Sequence, residues 1–251
     1  MRGWPRLHDL SFDDLLWATA SAILFFAALR GGELFTFRSS GRPILLGKFL
    51  SIIGADSGAR PVRFLSAPRV QVLVQSPKTD KGLLFHVRLA VDPPYEDFPL
   101  RPSALLAEYR RRCLRVNLDV LGLSPAFRFR DGRPLSRDFM VGRAEHLAQL
   151  AGLKVLGPEG DRVPFLAQSW RSGYKLSAMA AGISDFIIGT TGKWSIKSIK
   201  GSLPYSFASV QALQSAGKKL VDSVDNPDAA IECGQFDYEG MFADERPYPA
   251  L

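Results

Sequence analysis

Cysteine, histidine and long apolar runs are scarce in this chain, and each scarcity closes off a class of answers. Two cysteines in 251 residues, Cys113 and Cys233, are too few for a disulfide framework and point to a reducing, intracellular setting. Three histidines in all leave no spacing that reads as a metal site. The run Leu15 to Leu29 is strongly apolar, but a bilayer span needs about 20 such residues. Asp13, Asp14 and Arg30 close it early, so it reads as a buried helix. Acidic residues precede that run where a secretory signal would be basic.

An excess of acidic charge is also missing from most of the chain, because it is found at one end alone. The net charge is +7 and the isoelectric point about 9.6. Residues 221–251 hold eight Asp and Glu against Arg246 alone, whereas residues 1–220 carry 31 Lys and Arg against 17 Asp and Glu. Such a body attracts polyanions, nucleic acid ahead of anionic membrane, and the charge step divides a globular unit, 1–220, from an acidic tail, 221–251. With Phe236, Tyr238, Met241 and Phe242 interleaved, the tail suits docking on a neighbouring protomer, folding back over the basic face, or disorder.

Periodicity predicts a mostly helical α+β chain with one small antiparallel sheet. Ser11 before Asp13 and Asp14 marks the start of a helix running to about Leu29, which delivers Arg30 and Glu33 at its far end. Gly31 and Gly32 follow, residues that let another backbone approach closely. Pro43 to Leu46, Val70 to Gln75 and Leu83 to Leu89 suit strands, the last two joined by the turn SPKTDKG as a hairpin. Helices are expected from Ser103 to Leu121, from Ser136 to Ala151 with Gly152 as its stop, from Ala167 to Ala181, and from Ser184 to Thr191 after Gly182. A short helix through Ser195 to Lys200 and a longer one around Ser206 to Val224 complete the body.

Three segments carry chemistry. AALRGGELFTF (27–37) sets an arginine at the end of a buried helix, QSPKTDKG (75–82) puts Lys78 and Lys81 in a tight turn, and AQSWRSGYKLSAMAAGISDFIIGTTGKWSIKSIKGSLPY (167–205) combines Gln168, Arg171, a small-residue helix and a Gly-Lys-Trp element. Taken singly, each has a plain reading: a helix-ending arginine paired with Glu33, a solvated turn, a core tryptophan. In this order, they resemble the catalytic domain of the tyrosine recombinase (phage integrase) family. The wording is most similar to the eukaryotic recombinases of DIRS-type mobile elements, and the resemblance runs from about Leu7 to Tyr205.

The resemblance implies a DNA breaking-rejoining core in which Arg30 and Arg171 grip the scissile phosphate. Planar guanidinium groups that stay charged suit that task. It further implies that Lys78 is the general acid, with Lys81 as a nearby substitute, and that Trp194 donates its indole N–H to the phosphate. Tyr205 would form a covalent 3′-phosphotyrosyl bond, so that neither ATP, a cofactor nor an obligatory metal is required. Two positions depart from the family pattern. Gln168 stands where the family has histidine, and Ser202 occupies the register at which the nucleophile is usually met, slightly before Tyr205. Arg110, Arg111, Arg128 and Arg130, with Lys81, Lys193, Lys197 and Lys200, are expected to contact the DNA backbone. The expected partners are double-stranded DNA and further copies of the chain in a tetramer on DNA, not a membrane, with a nuclear location if the host is eukaryotic. A recombinase that has lost cleavage and only binds DNA is the alternative.

Overall fold

The computed structural model describes residues 6–35, 45–54, 68–75, 85–95, 98–152, 165–192 and 210–225. Among them lie helices α1 (Phe12–Phe26), α2 (Gly31–Leu34), α3 (Pro102–Arg115), α4 (Arg137–Leu150), α5 (Ser169–Ala180), α6 (Asp185–Gly192) and α7 (Val210–Asp225). A three-stranded antiparallel sheet has the order β1 (Leu50–Ile53), β2 (Arg69–Gln75), β3 (Phe85–Val91). The fold is therefore α+β, mostly helical with one small sheet. No described helix is long and apolar enough to cross a membrane.

Helix α1 is the axis on which the rest is built. The Ser11 hydroxyl accepts the Asp14 N–H at 3.1 Å, and Asp13 and Asp14 sit at the positive end of the helix dipole. Leu15, Leu16, Ala20, Ile23 and Leu24 are wholly buried, and α3, α4, α5 and β3 pack around them. Small residues let this happen. Thr19 and Ser21 are buried polar groups, and Thr19 Oγ1 donates back to the Leu15 carbonyl at 2.6 Å, so its hydroxyl is satisfied inside the core. Helix α3 runs antiparallel to α1: Phe12 meets Tyr109 ring to ring, and Thr19 lies against the Leu105 carbonyl.

The sheet lays one face on this core. Val70, Val72 and Val74 of β2 are buried, and their partners Ala90 and Arg88 of β3 share that face. The expected hairpin is present, with Gln75 paired to Phe85 across the turn segment. The expected strand at 43–46 differs. Pro43 and Ile44 lie outside the described residues, Leu46 makes only an isolated bridge to Pro125, and the third strand forms instead from Leu50 to Ile53. Gly47 explains the offset: a side chain there would meet the Val120 carbonyl at 2.2 Å, so the chain passes too close to another backbone to pair as a strand.

Helix ends follow one rule. After α1, α3 and α5 the chain turns through a left-handed residue, Ala28 (φ 46°), Asn117 (φ 56°) and Gly182 (φ 64°). In each the next N–H reaches back five residues: Leu29 to Leu24, Leu118 to Cys113, Ile183 to Ala178, all at 2.9 Å. These Schellman motifs satisfy end carbonyls. They also stop α1 at Phe26 and α3 at Arg115, short of the expected Leu29 and Leu121. Ser136 caps α4 through the Phe139 N–H, and Gly152 (φ 70°) ends it, as periodicity predicts. The expected helix at 195–200 and the tail beyond 225 lie outside the described residues.

A Cβ at Gly182 or Gly142 would meet no atom within 4 Å, so backbone conformation alone decides the effect of alanine there. Gly182→Ala should lower unfolding free energy by about 1 kcal/mol, and Gly142→Ala, mid-helix in α4, should raise it by about 0.5–1 kcal/mol. Urea denaturation of the two variants checks the opposite signs.

Arg112 donates to the Leu10 and Leu7 carbonyls at 2.5 and 2.8 Å, tying the segment before α1 to α3, and Glu108 holds Arg112 in place. The Arg111 guanidinium, with Arg112 beside it, outweighs burial and holds the Glu108 carboxyl down at about 2. A depressed carboxyl stabilises above its ordinary value of 4.5 and loses that contribution as pH falls toward 2. Glu108→Gln should therefore lower the melting temperature at pH 7 and flatten its fall between pH 4.5 and 2, as followed by circular dichroism.

Candidate functional site

The C-terminal end of α1 is where the two arginine segments meet. Ala28, left-handed and fully buried, turns the chain so that Leu29 points into the core and Arg30 emerges to solvent at the start of α2. Gly31 then touches α5's entry: a Cβ on it would lie 2.6 Å from the Ala167 Cβ and 3.0 Å from the Ala167 carbonyl oxygen. Only glycine allows that approach. Gln168, the next residue, stands at the N-cap position of α5, exposed and making no capping bond.

Arg171 lies in the first turn of α5 and is 3% exposed. Its Nη1 donates to the Ala28 carbonyl at 3.1 Å. A cation is thereby set on the carbonyl end of α1, where the helix dipole is negative. Arg30, Gln168 and Arg171 are thus gathered around one helix end from segments about 140 residues apart in the chain.

A third arginine, which sequence reading did not single out, completes the cluster. Arg88 occupies a core-facing position of β3, opposite Val72, and is 6% exposed. Its Nη1 donates to the Thr191 carbonyl in the last turn of α6 at 2.7 Å, and its Nη2 lies 3.9 Å from Glu33 Oε1. Burial pulls the Arg88 pKa down, Glu33 opposes that and the Arg30 charge adds to it. Alternation in β3 carried no signal for it, since the apolar set Phe85, Val87, Leu89 and Val91 would by itself put Arg88 on the solvent side.

Glu33 is shared. Its Oε2 accepts the Arg30 backbone N–H at 2.7 Å, and Oε1 faces Arg88. The plain reading of Arg30, an arginine paired with Glu33 through its side chain, is not what forms: the Arg30 guanidinium makes no ion pair among the described residues. Below the cluster, Tyr174 packs edge-on against Phe25, and burial raises its pKa while a hydrogen bond with Thr191 opposes that. Ala28, Ala178, Ile183, Ile188, Ala216 and Leu220 complete a second small core under α5, α6 and α7.

Of the other expected DNA contacts, the described arginines lie elsewhere. Since α3 runs antiparallel to α1, Arg110 and Arg111 sit by the N-terminal end of α1, about 20 Å from Arg30 at 1.5 Å per residue. Arg110 donates to the Leu50 carbonyl at 2.5 Å, and Arg111 pairs with Glu108 at 2.5 Å. Arg128 donates to the Gly132 carbonyl at 2.7 Å, and its backbone is clasped by the Tyr109 hydroxyl. Arg130 is exposed. Lys78, Lys81, Lys193, Trp194, Lys197, Lys200, Ser202 and Tyr205 lie outside the described residues. No group of three or more His, Cys, Asp or Glu suited to a metal ion occurs among the described residues.

Gly31→Ala should separate α2 from α5 and lower stability by on the order of 1–3 kcal/mol, because the obstructing atoms are backbone and a short side chain that cannot swing away. Thermal denaturation beside Gly142→Ala, which meets nothing, isolates the clash.

Comparison of the chain with protein-family models, with curated proteins and with solved structures finds no match.

Proposed function

We propose that this chain binds DNA through the end of α1 and breaks and rejoins a strand in the manner of a tyrosine recombinase. The observation that carries the reading is the contact of Gly31 with Ala167, which gathers Arg30, Gln168 and Arg171 at one point, the grouping that the resemblance implies for a scissile phosphate. The pairing of β2 with β3 supports it further, because the lysine-bearing segment joins two strands in one hairpin and β3 itself reaches the cluster through Arg88. Net charge agrees: a body rich in Lys and Arg neutralises phosphates and releases their counterions.

In the proposed reaction the Tyr205 hydroxyl attacks phosphorus in line and gives up its proton to water. The bond from phosphorus to the 5′-oxygen breaks, Lys78 gives that oxygen a proton, and the 3′-phosphate remains on tyrosine. Attack by a 5′-hydroxyl reverses the step and releases Tyr205. Arg30, exposed beside Gln168, neutralises the non-bridging oxygens, while Gln168 donates through its amide. Copies of the chain would act together as a tetramer on DNA.

A second reading, DNA binding without cleavage, is favoured by two observations. Gln168 has no titratable proton near neutral pH, and Arg171 turns its guanidinium inward to the Ala28 carbonyl. Incubation with phosphorothiolate suicide duplexes of pooled sequence, resolved on a denaturing gel, separates the readings. An adduct lost in Tyr205→Phe but kept in Ser202→Ala is the expected result. Absence of adduct with salt-dependent binding intact leaves the second reading. Arg30→Ala should leave the melting temperature unchanged, weaken duplex binding and lower the slope of affinity against salt by about one unit. If Arg30→Ala binds as the native chain does, both readings fail.

A further inference from the structure

We infer that Arg88 is a positioning residue for the phosphate site, holding Glu33 away from the guanidinium of Arg30 so that Arg30 keeps its charge for DNA. The inference rests on the DNA-binding reading above and adds a residue to it.

The argument begins with the cost of the arrangement. A guanidinium on the core-facing side of a strand is expensive, and Arg88 Nε has no hydrogen-bond partner among the described residues. Among the described residues, the rest of the group is spent on two partners, the Thr191 carbonyl at 2.7 Å and Glu33 at 3.9 Å. Methionine or leucine would fill such a strand position without that cost, as Val70, Val72 and Val74 do on the same face.

Glu33 has three cationic or donor groups within reach of its short α2 turn. Two hold it: the Arg30 N–H on Oε2 and Arg88 beside Oε1. Held this way its side chain is 9% exposed and faces inward. The third group is the guanidinium of Arg30, three residues away and in solvent. Three-residue spacing is the separation at which opposite charges pair on a helix surface. Without Arg88, the carboxylate loses its buried counter-charge, and burying it alone is unfavourable. It would turn outward and pair with Arg30, which would then meet a phosphate already neutralised.

The thread from β3 to α6 adds rigidity. Because the same guanidinium also holds the Thr191 carbonyl, the Glu33 contact is fixed to a strand and to a second helix.

The test measures binding of a fluorescein-labelled duplex by anisotropy at fixed salt, with melting temperatures recorded in parallel. Arg88→Met should weaken binding about tenfold. Glu33→Gln, introduced into the Arg88→Met chain, should restore most of that loss, because an amide cannot neutralise Arg30. Asp13→Asn, the same change of charge at the exposed far end of α1, should restore none. Arg88→Met binding as tightly as the native chain, with Arg30→Ala still weakened, would overturn the inference and leave the DNA-binding reading standing. So would equal recovery from Glu33→Gln and Asp13→Asn, which would show an effect of net charge alone. Loss of any Arg30→Ala effect removes the reading and the inference together. If Arg88→Met does not fold, Arg88→Lys with the same two second substitutions makes the test, since an ammonium cannot span both partners.

Discussion

The closing of α1's carbonyl end is the constraint on which the rest of the structure depends. Ala28 adopts a left-handed conformation without being glycine, an arrangement that costs about 1 kcal/mol or more and persists only where surrounding contacts hold it. Those contacts are the Leu29 N–H on the Leu24 carbonyl, the full burial of Ala28 and Leu29, and the guanidinium of Arg171 on the Ala28 carbonyl. Together they turn the chain within two residues, from the centre of the core to a solvent-facing arginine. Gly31 then has to lie against Ala167, and α5 is joined to α2 as a result.

The electrostatics of this end follow from burial. Arg171 and Arg88 are both nearly inaccessible, so each is placed on carbonyl oxygens or a carboxylate, with Glu33 the one acidic side chain in the cluster among the described residues. Arg30 alone of the three arginines is exposed. Two buried cations hold backbone carbonyls, and the third stands in solvent. Burial thus divides three like charges at one helix end into two that face the protein's own oxygens and one that faces water.

The second basic group, at the opposite end of α1, has a different character. Arg110, Arg112 and Arg128 spend their guanidinium groups on the Leu50, Leu10, Leu7 and Gly132 carbonyls, stitching strands and the N-terminal segment to α3. Arginines that look like a charge patch in the one-dimensional chain are here partly mortar. Arg115 and Arg130 are exposed on that side, and Arg133 pairs with Asp131 at 2.6 Å.

Much of the architecture was legible from local rules, because caps and periodicity act within a few residues. Ser11 and Ser136 capped their helices, Gly152 and Gly182 ended theirs, and the hairpin of β2 and β3 formed around its polar turn. Readings failed where a distant segment intervened: the carbonyl of Val120 beside Gly47 moved a strand to Leu50–Ile53, and left-handed Ala28 and Asn117, neither of them glycine, stopped helices that apolar periodicity would have extended. At the site, the sequence determined which residue types were present, namely arginines at helix ends, a close-packing glycine and a basic body. The tertiary structure alone decided that Arg171 faces inward, that Glu33 turns to Arg88 rather than to the side chain of Arg30, and that Arg110 lies far from both. Charge pairing depends on distance and burial, and neither is set until segments remote in the chain have packed.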